Sequence, residues 1–247
     1  VWTVCDAENS GERSIDFWTL PTEDQMIAIP YEQNFDDLED LSNWELWTVT
    51  QSGANQWYLG AIGARSSAEE GEEVSGQGLY ISNDAGVTNG YNISTSCVAH
   101  LSALLNIEEG SYYGVEFDYR LVGEACCDYV AVSLMPLGME LTTTLSDTYV
   151  VGKATNNQGQ WSRASIPLPN NITPGAYQLV LSWRNDGSVG TAPAASIDNL
   201  YIFSTSCARV NQFTTTMEDA GSSVTMNVEV TDEFNEDVQY IVDYRYA

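Results

Sequence analysis

The chain has 247 residues, a length that suits one large β domain or two small ones. Its 35 acidic residues against 8 basic ones give a formal net charge of −27, which excludes nucleic acid as a partner because phosphates would be repelled. No segment has the unbroken apolar length that direct membrane insertion needs. Only 17% of the residues are charged, and the abundance of Thr, Ser, Val and Tyr is typical of a β-sandwich.

Short alternating strands, separated by clusters of Gly, Asn and Pro, follow one another through the middle of the chain. Residues 110–121 place Val115, Phe117, Tyr119 and Leu121 on one face, and residues 128–135 alternate in the same way. The best helical candidate, residues 101–107, is too short to stand alone. This pattern predicts an all-β fold, a jelly-roll β-sandwich, over residues 30–203.

Both ends of the chain contain strands without a complete sheet. Residues 1–29 read as one hairpin, which is too small to fold alone, and residues 204–247 hold two further strands. Unpaired strand edges invite pairing with another chain. We therefore expect the ends to pair with neighbouring domains or with copies of the same chain.

The cysteine pattern indicates an exported protein. Cys126 and Cys127 are adjacent, and a Cα separation of about 3.8 Å is too short for ordinary disulfide geometry. Cys97 is the more reasonable partner for one of them. The count of five is odd, and Cys5 and Cys207 could meet across a junction between copies. No Cys-x-x-Cys pair is present, so a structural zinc site is not expected.

Acidic residues lie at the edges of apolar strands. Asp198 follows Ile197 inside a hydrophobic run, where a carboxylate is costly unless something neutralises it. Asp36 and Asp84 occupy similar positions, and three carboxylates together would need a cation, for which calcium is the natural choice. The alternative is three separate residues, each solvated or hydrogen-bonded in its own turn.

Other chemistry-bearing residues have simpler interpretations. His100 lacks a nucleophile motif nearby and is expected to be a packed or surface residue. Trp44, Trp47 and Trp57, with Tyr58, would either fill the core or stack on sugars, and the core is favoured. Asn185 and Asp186 either line one end of the sandwich or form an Asx turn closed by Gly187.

Several landmarks together resemble the MAM-like jelly rolls of Bacteroidetes surface proteins, which include the cleaved-adhesin and choice-of-anchor J domains and are similar to galactose-binding folds. The matching segments are Pro30–Asp37, Asn43-Trp44, Gln56–Tyr58, Gly78–Gly86, Phe117–Arg120, Gly123–Val130, Gln160-Trp161 and Trp183–Asn199. The flanking strands resemble parts of fibronectin type III (immunoglobulin-like) domains, with closing strands in 1–29 and opening strands in 204–247.

The resemblance implies a non-catalytic extracellular module with calcium bound where the first and last strands meet. It places the calcium ligands on Asp36 and Asp198, with Asn83 or Asp84 from a loop. The implied function is adhesion or structure within a large bacterial cell-surface protein. The unpaired strand edges at both ends add two hypotheses, that the chain is a segment of a longer array or that copies join head to tail by strand addition into a filament. Glycans or host matrix proteins are the candidate ligands. The alternative is a carbohydrate-binding module of a secreted hydrolase or protease.

Overall fold

The computed structural model describes residues 21–22, 25–36, 42–48, 55–65, 76–205, 209–217 and 224–231. Within these ranges the chain forms β-strands and short 3-10 turns, including Ala61–Gly63 and Asp147–Tyr149, and it contains no α-helix. No helix in this described part is long and apolar enough to cross a membrane.

The strands in chain order are β1 (Tyr31–Gln33), β2 (Trp44–Thr48), β3 (Gln56–Gly60), β4 (Gly78–Ser82), β5 (Cys97–Ile107), β6 (Tyr112–Arg120), β7 (Tyr129–Pro136), β8 (Val150–Ala154), β9 (Ser162–Pro167), β10 (Gly175–Asn185), β11 (Ser196–Thr205), β12 (Arg209–Met217) and β13 (Val224–Thr231).

Two antiparallel sheets form the body. The first sheet has the order β3-β4-β11-β6-β9, with β1 also paired to β11, and the second has the order β2-β5-β10-β7-β8. Sequence-distant strands such as β4, β11 and β6 are neighbours, as a jelly roll requires. The predicted all-β jelly-roll sandwich is therefore confirmed. Strands β12 and β13 form a separate hairpin, and their assignment to a fibronectin-like domain stays a prediction.

The core lies between the inner faces of the two sheets, where alternate residues of each strand point. Trp183 of β10 is fully buried there, with the Tyr91 ring edge-on at 5.4 Å between centroids. Trp44 and Trp57 are buried as well. The interpretation of these two tryptophans as core residues is confirmed, whereas the Trp47 side chain lies outside the described residues.

The short helical candidate at residues 101–107 is the second half of strand β5. Its backbone is paired on one side with β10 and on the other with β2, so that Leu101 lies between Leu181 and Leu46. A central strand covered on both faces reads as a continuous apolar run, and periodicity alone cannot distinguish such a run from a helix.

The chain enters and leaves the sandwich at the same end. Tyr31 of β1 pairs with Ile202 of β11, so the start of the first strand lies beside the end of the last. Just before β1, the buried Ile27 donates its backbone N–H to the carbonyl oxygen of Leu104. The body therefore includes residues on the N-terminal side of 30 and extends through Thr205.

Asn185, at the end of β10, joins three loops through its side chain. Its Oδ1 accepts a hydrogen bond from Asn55 Nδ2 at 2.8 Å, and its Nδ2 donates to the carbonyl oxygens of Asn92 and Thr95 at 3.2 and 2.8 Å. Asn185 is only 1% exposed, so its amide is structural. The Asx turn of the sequence belongs instead to Asp186, whose Oδ1 accepts the N–H of Ser188.

We predict that Asn185→Ala lowers the free energy of unfolding by about 2–4 kcal/mol, because it leaves buried partners unsatisfied. Urea denaturation measures the change. Asn106→Ala, at an exposed position of β5, is the matched control and should alter stability by less than about 0.5 kcal/mol. Equal effects of the two substitutions would contradict the structural role of Asn185.

Candidate cation site

The candidate site lies where the first strand meets the last. Strands β1 and β4 share one edge of β11, since β6 occupies the other, and they pair with Leu200 and Ile197 respectively. Asp198 stands between these two partners, next to a register shift in the β6–β11 pairing. A bulge of this kind redirects a side chain and interrupts the ladder. It therefore leaves room for a carboxylate at the meeting point of three strands.

Asp36 reaches the same region from the residues that follow β1. Its Oδ1 accepts the N–H of Gln77, one residue before β4, at 2.7 Å. Gly76 has a φ of 109°, and a Cβ there would lie 2.6 Å from Asp36 Oδ1, so this position requires glycine. Asp198 accepts the backbone N–H of Arg65 at 2.6 Å and that of Asn199 at 2.7 Å. Each carboxylate thus ties two separate chain segments together.

A third carboxylate, Asp118, faces Asp198 across the β6–β11 pair. It is 2% exposed and accepts from Arg65 at 2.6 Å, from Arg163 at 3.4 Å and from Asn199 Nδ2 at 2.9 Å. Sequence reasoning did not single out Asp118. The available signal was its position in the Phe117-Asp118-Tyr119 alternation, which points it away from the core residues of β6.

The electrostatics of the three carboxylates differ. Burial raises the pKa of Asp198, and the negative charges of Asp36 and Asp118 raise it further. For Asp118, burial acts in the same upward direction, but the hydrogen bonds and charge of Arg65, with Asn199 and Arg163, outweigh it and lower the pKa. Arginine therefore compensates Asp118, while Asp198 remains a buried acid without a cation of its own among the described residues.

The loop ligands suggested by the resemblance lie elsewhere. Asp84, in the turn after β4, accepts hydrogen bonds from Ser82 Oγ at 2.5 Å and from the Thr88 N–H and Oγ1 at 2.9 and 2.7 Å. The hydroxyl bonds from Ser82 and Thr88, with the Thr88 N–H, lower the pKa of Asp84 to about 2. Asn83 is exposed in the same turn. Asp198, by contrast, lies beside the first residues of β4, so the structure brings together Asp36 and Asp198 but not Asp84.

His100 is enclosed on the outer face of the second sheet. Its Nδ1 lies 2.8 Å from Ser182 Oγ and its Nε2 lies 2.9 Å from the Thr142 carbonyl oxygen, which belongs to the β7–β8 connection. Burial lowers its pKa, although the bond to Thr142 acts in the opposite direction. Both Ser182 and His100 are buried. His100 is therefore a packed residue, as the sequence indicates.

The predicted pairing of Cys97 with one of the adjacent cysteines is wrong. Cys126 and Cys127 are disulfide-bonded to each other, with Cα atoms 3.7 Å apart. Cys97 is a free, buried thiol whose Sγ lies 3.4 Å from the Asn55 carbonyl oxygen, and burial raises its pKa. Adjacent cysteines do not reach the Cα separation of an ordinary disulfide, but in a turn they can close a small ring of their own. Cys5 and Cys207 lie outside the described residues.

No protein-family model matches the chain, and no characterised protein matches it in sequence. Among solved structures, it is similar to the K1 cleaved adhesin domain of Lys-gingipain from Porphyromonas gingivalis, with 12% identity, a TM-score of 0.46, and coverage of 71% of this chain and 98% of that domain. It is also similar to the C-terminal family 22 carbohydrate-binding module of Clostridium thermocellum Xyn10B, with 13% identity, a TM-score of 0.41, and coverage of 74% and 96%.

A third match is to an arabinose-bound GH51 α-L-arabinofuranosidase, with 9% identity and a TM-score of 0.41, which covers 73% of this chain and 25% of the enzyme. These matches thus include an adhesin domain, a carbohydrate-binding module and part of a glycosidase. They are likenesses of fold at low identity, and the function has to be argued from the residues of this chain.

We predict that Asp36→Asn lowers the pKa of Asp198, because it removes a neighbouring negative charge while the amide oxygen can still accept from Gln77. A carboxyl whose pKa is raised on folding stabilises the protein below its unfolded pKa, and this contribution is lost as the pH rises through the folded pKa. In cation-free buffer, the variant should therefore gain stability over the wild type as the pH rises through that range.

Carboxyl-carbon NMR titration and melting curves between acidic and neutral pH test this expectation. Glu32→Gln, which removes one charge from an exposed position of β1, is the control and should leave the Asp198 titration unchanged. An unaltered Asp198 titration in Asp36→Asn would show that the two carboxylates do not interact.

Proposed function

We propose that the chain is a non-catalytic, calcium-stabilised extracellular binding module of a large bacterial surface protein, with an adhesive or structural role. The observation that carries this proposal is the pair Asp36 and Asp198. Asp36 follows the first strand and Asp198 lies in the last, and each accepts a backbone N–H from the residues that lead into β4. Asp198 is buried without a compensating cation among the described residues, and the charge of Asp36 raises its pKa after burial has done so.

Calcium suits this pair because it binds six to eight oxygen ligands, including carboxylates and backbone carbonyls, with flexible geometry. Strand β1 has only three residues, so its pairing with β11 supplies few hydrogen bonds. A cation held by Asp36 and Asp198 would link three segments to one another, namely strand β1, strand β11 and the residues just before β4. Backbone carbonyls of the adjoining turns would complete the coordination shell.

The reactive groups of the body support a role without catalysis. Both ring nitrogens of His100 are engaged, and the neighbouring Ser182 is fully buried, so this pair cannot meet a substrate. Arginine side chains hold Asp118 in ion pairs. The Cys126–Cys127 disulfide supports an oxidising, extracellular location. Neighbouring domains, copies of the same chain in a filament, or matrix proteins are the partners that fit such a module.

We predict that millimolar calcium stabilises the protein by about 1 kcal/mol, for a dissociation constant of order 10⁻⁴ to 10⁻³ M. The shift of the melting temperature between calcium and chelator measures it. Asp36→Asn should show a smaller calcium response, whereas Glu140→Gln, at an exposed position with the same charge change, should respond like the wild type. A full calcium response in Asp36→Asn would exclude Asp36 as a ligand.

A carbohydrate-binding role is the second candidate, and one pocket favours it. The pocket has a volume of about 280 Å³ beside strands β2, β5 and β10. Its lining includes Gln25, Asn43, Glu45, Ser102 and Gln178. Amide, carboxylate and hydroxyl groups can hydrogen-bond to sugar hydroxyls and fix the orientation of a ligand.

If this pocket binds glycans, Gln178→Ala should weaken retention on the glycans that the wild type recognises in an array. Gln178 donates to Ser102 Oγ at 3.1 Å, so circular dichroism must show that the variant is folded. Gln160→Ala, an exposed position that does not line the pocket, is the control and should bind normally. Binding that is unchanged in Gln178→Ala would remove this pocket from consideration.

A further inference from the structure

A second group of carboxylates lies at the end of the second sheet. Glu124 belongs to the β6–β7 connection, Asp128 immediately precedes β7, and Asp186 immediately follows β10. Strands β7 and β10 are antiparallel neighbours with Tyr129 opposite Arg184, so their ends bring Asp128 and Asp186 together. One carboxylate oxygen from each of the three residues lies within 4.8 Å of the others.

The buried member of this group has an oxygen without a partner. Asp128 is 1% exposed, and its Oδ2 accepts from Tyr91 Oη at 2.5 Å and from the Glu124 N–H at 2.9 Å. Its Oδ1 is buried and has no hydrogen-bond partner among the described residues. A buried carboxylate oxygen left unpaired is costly, and it requires an explanation.

The two half-exposed members of the group, Glu124 and Asp186, share one hydroxyl donor. Ser188 Oγ lies 2.8 Å from Asp186 Oδ1 and 3.2 Å from Glu124 Oε2. A hydroxyl has one proton, so it can donate to only one of these carboxylates at a time. The remaining contact brings two oxygen atoms together with no hydrogen between them.

The nearest basic side chain does not neutralise the group. Arg184 donates to the Cys127 carbonyl oxygen at 2.8 Å, and its guanidinium lies over the Tyr129 ring at 5.4 Å. The hydrogen bonds from Ser188 lower the pKa of Asp186, and the charge of Arg184 adds a smaller effect in the same direction. Arg184 forms no ion pair with Glu124, Asp128 or Asp186 within the described structure. The group of three carboxyl groups therefore has no ion-paired cation among the described residues.

From this geometry we propose that Glu124, Asp128 and Asp186 form a second divalent-cation site, which takes calcium and shares no residue with the Asp36–Asp198 site. Oxygens on opposite sides of a calcium ion are separated by about 5 Å, twice the Ca–O distance of about 2.3–2.6 Å. The three carboxylates satisfy this limit. The unpaired Oδ1 of Asp128 supplies the buried ligand, and Ser188 Oγ is released to act as an acceptor.

The ligands of this site are oxygens only. Cys126 and Cys127 lie close to Glu124, but their sulfurs are bonded to each other and offer no thiolate. The disulfide instead restrains the turn in which the N–H groups of Cys127 and Asp128 both donate to the Glu124 carbonyl oxygen. That turn fixes the spacing between two of the three ligands.

Terbium(III), a luminescent substitute for calcium, tests the site because Tyr91 contacts Asp128 and Trp183 packs against Tyr91. The test uses the Asp36→Asn background, in which any calcium binding at the first site is weakened. Excitation of the aromatic rings should give terbium emission that calcium displaces. Adding Glu124→Gln and Asp186→Asn should abolish this emission and remove one calcium-binding event in calorimetry.

The control adds Glu108→Gln and Glu109→Gln to the same background, which removes two exposed charges outside the group. This control should retain the emission, and melting curves should show that both variants are folded. Emission that survives Glu124→Gln with Asp186→Asn would overturn the proposal. So would an equal loss in the control, which would indicate diffuse attraction to the acidic surface, or a lack of calcium-displaceable emission in the parent.

Discussion

The pairing of the last strand, β11, is the constraint on which the rest of the sandwich depends. It lies between β6 on one edge and both β4 and β1 on the other, so three segments that are far apart in sequence meet along one backbone. Strand β4 pairs with Ser196 and Ile197, and β1 pairs with residues 200–202, so Asp198 lies between the two pairings. The backbone N–H groups of Arg65 and Asn199 donate to Asp198 at this point.

The two carboxylate clusters follow the same physical logic in different sheets. In each cluster one aspartate is buried, namely Asp198 near the start of β11 and Asp128 just before β7. Less buried acids then approach from neighbouring turns. Folding brings these charges close together, because strand pairing and the packing of the hydrophobic core determine where the strand ends lie. The resulting repulsion is tolerated locally through N–H donors and, at Asp118, through arginine.

Much of the fold could be predicted from the sequence, because alternation along β6 and β7 depends only on adjacent residues. The long-range features could not. Nothing local in residues 101–107 reveals that sheet neighbours on both sides will absorb its hydrogen bonds, and nothing local in Asp118 reveals that Arg65 will pair with it. The sequence places Asp36, Asp84 and Asp198 in one group, whereas the structure brings Asp36 near Asp198 and leaves Asp84 in its own turn. The sequence around a carboxylate at the edge of a strand is the same whether a turn or another strand satisfies that carboxylate. The Cys126–Cys127 bond does not follow from ordinary disulfide geometry, because that geometry describes cysteines that are separated in sequence.

The antiparallel pairing of β1 with β11 also has a mechanical consequence. Because Tyr31 lies opposite Ile202, the two connections to the sandwich leave from one end and side by side. Tension applied through them would open the β1–β11 hydrogen bonds one after another, as in a zip, rather than load them all at once in shear. In this arrangement the force acts between the two connections at one end of the sandwich and is not transmitted through the length of its sheets. The rest of the surface then stays accessible to one side of the two connections. The interaction that holds Asp36 and Asp198 together determines the tension at which β1 separates from β11.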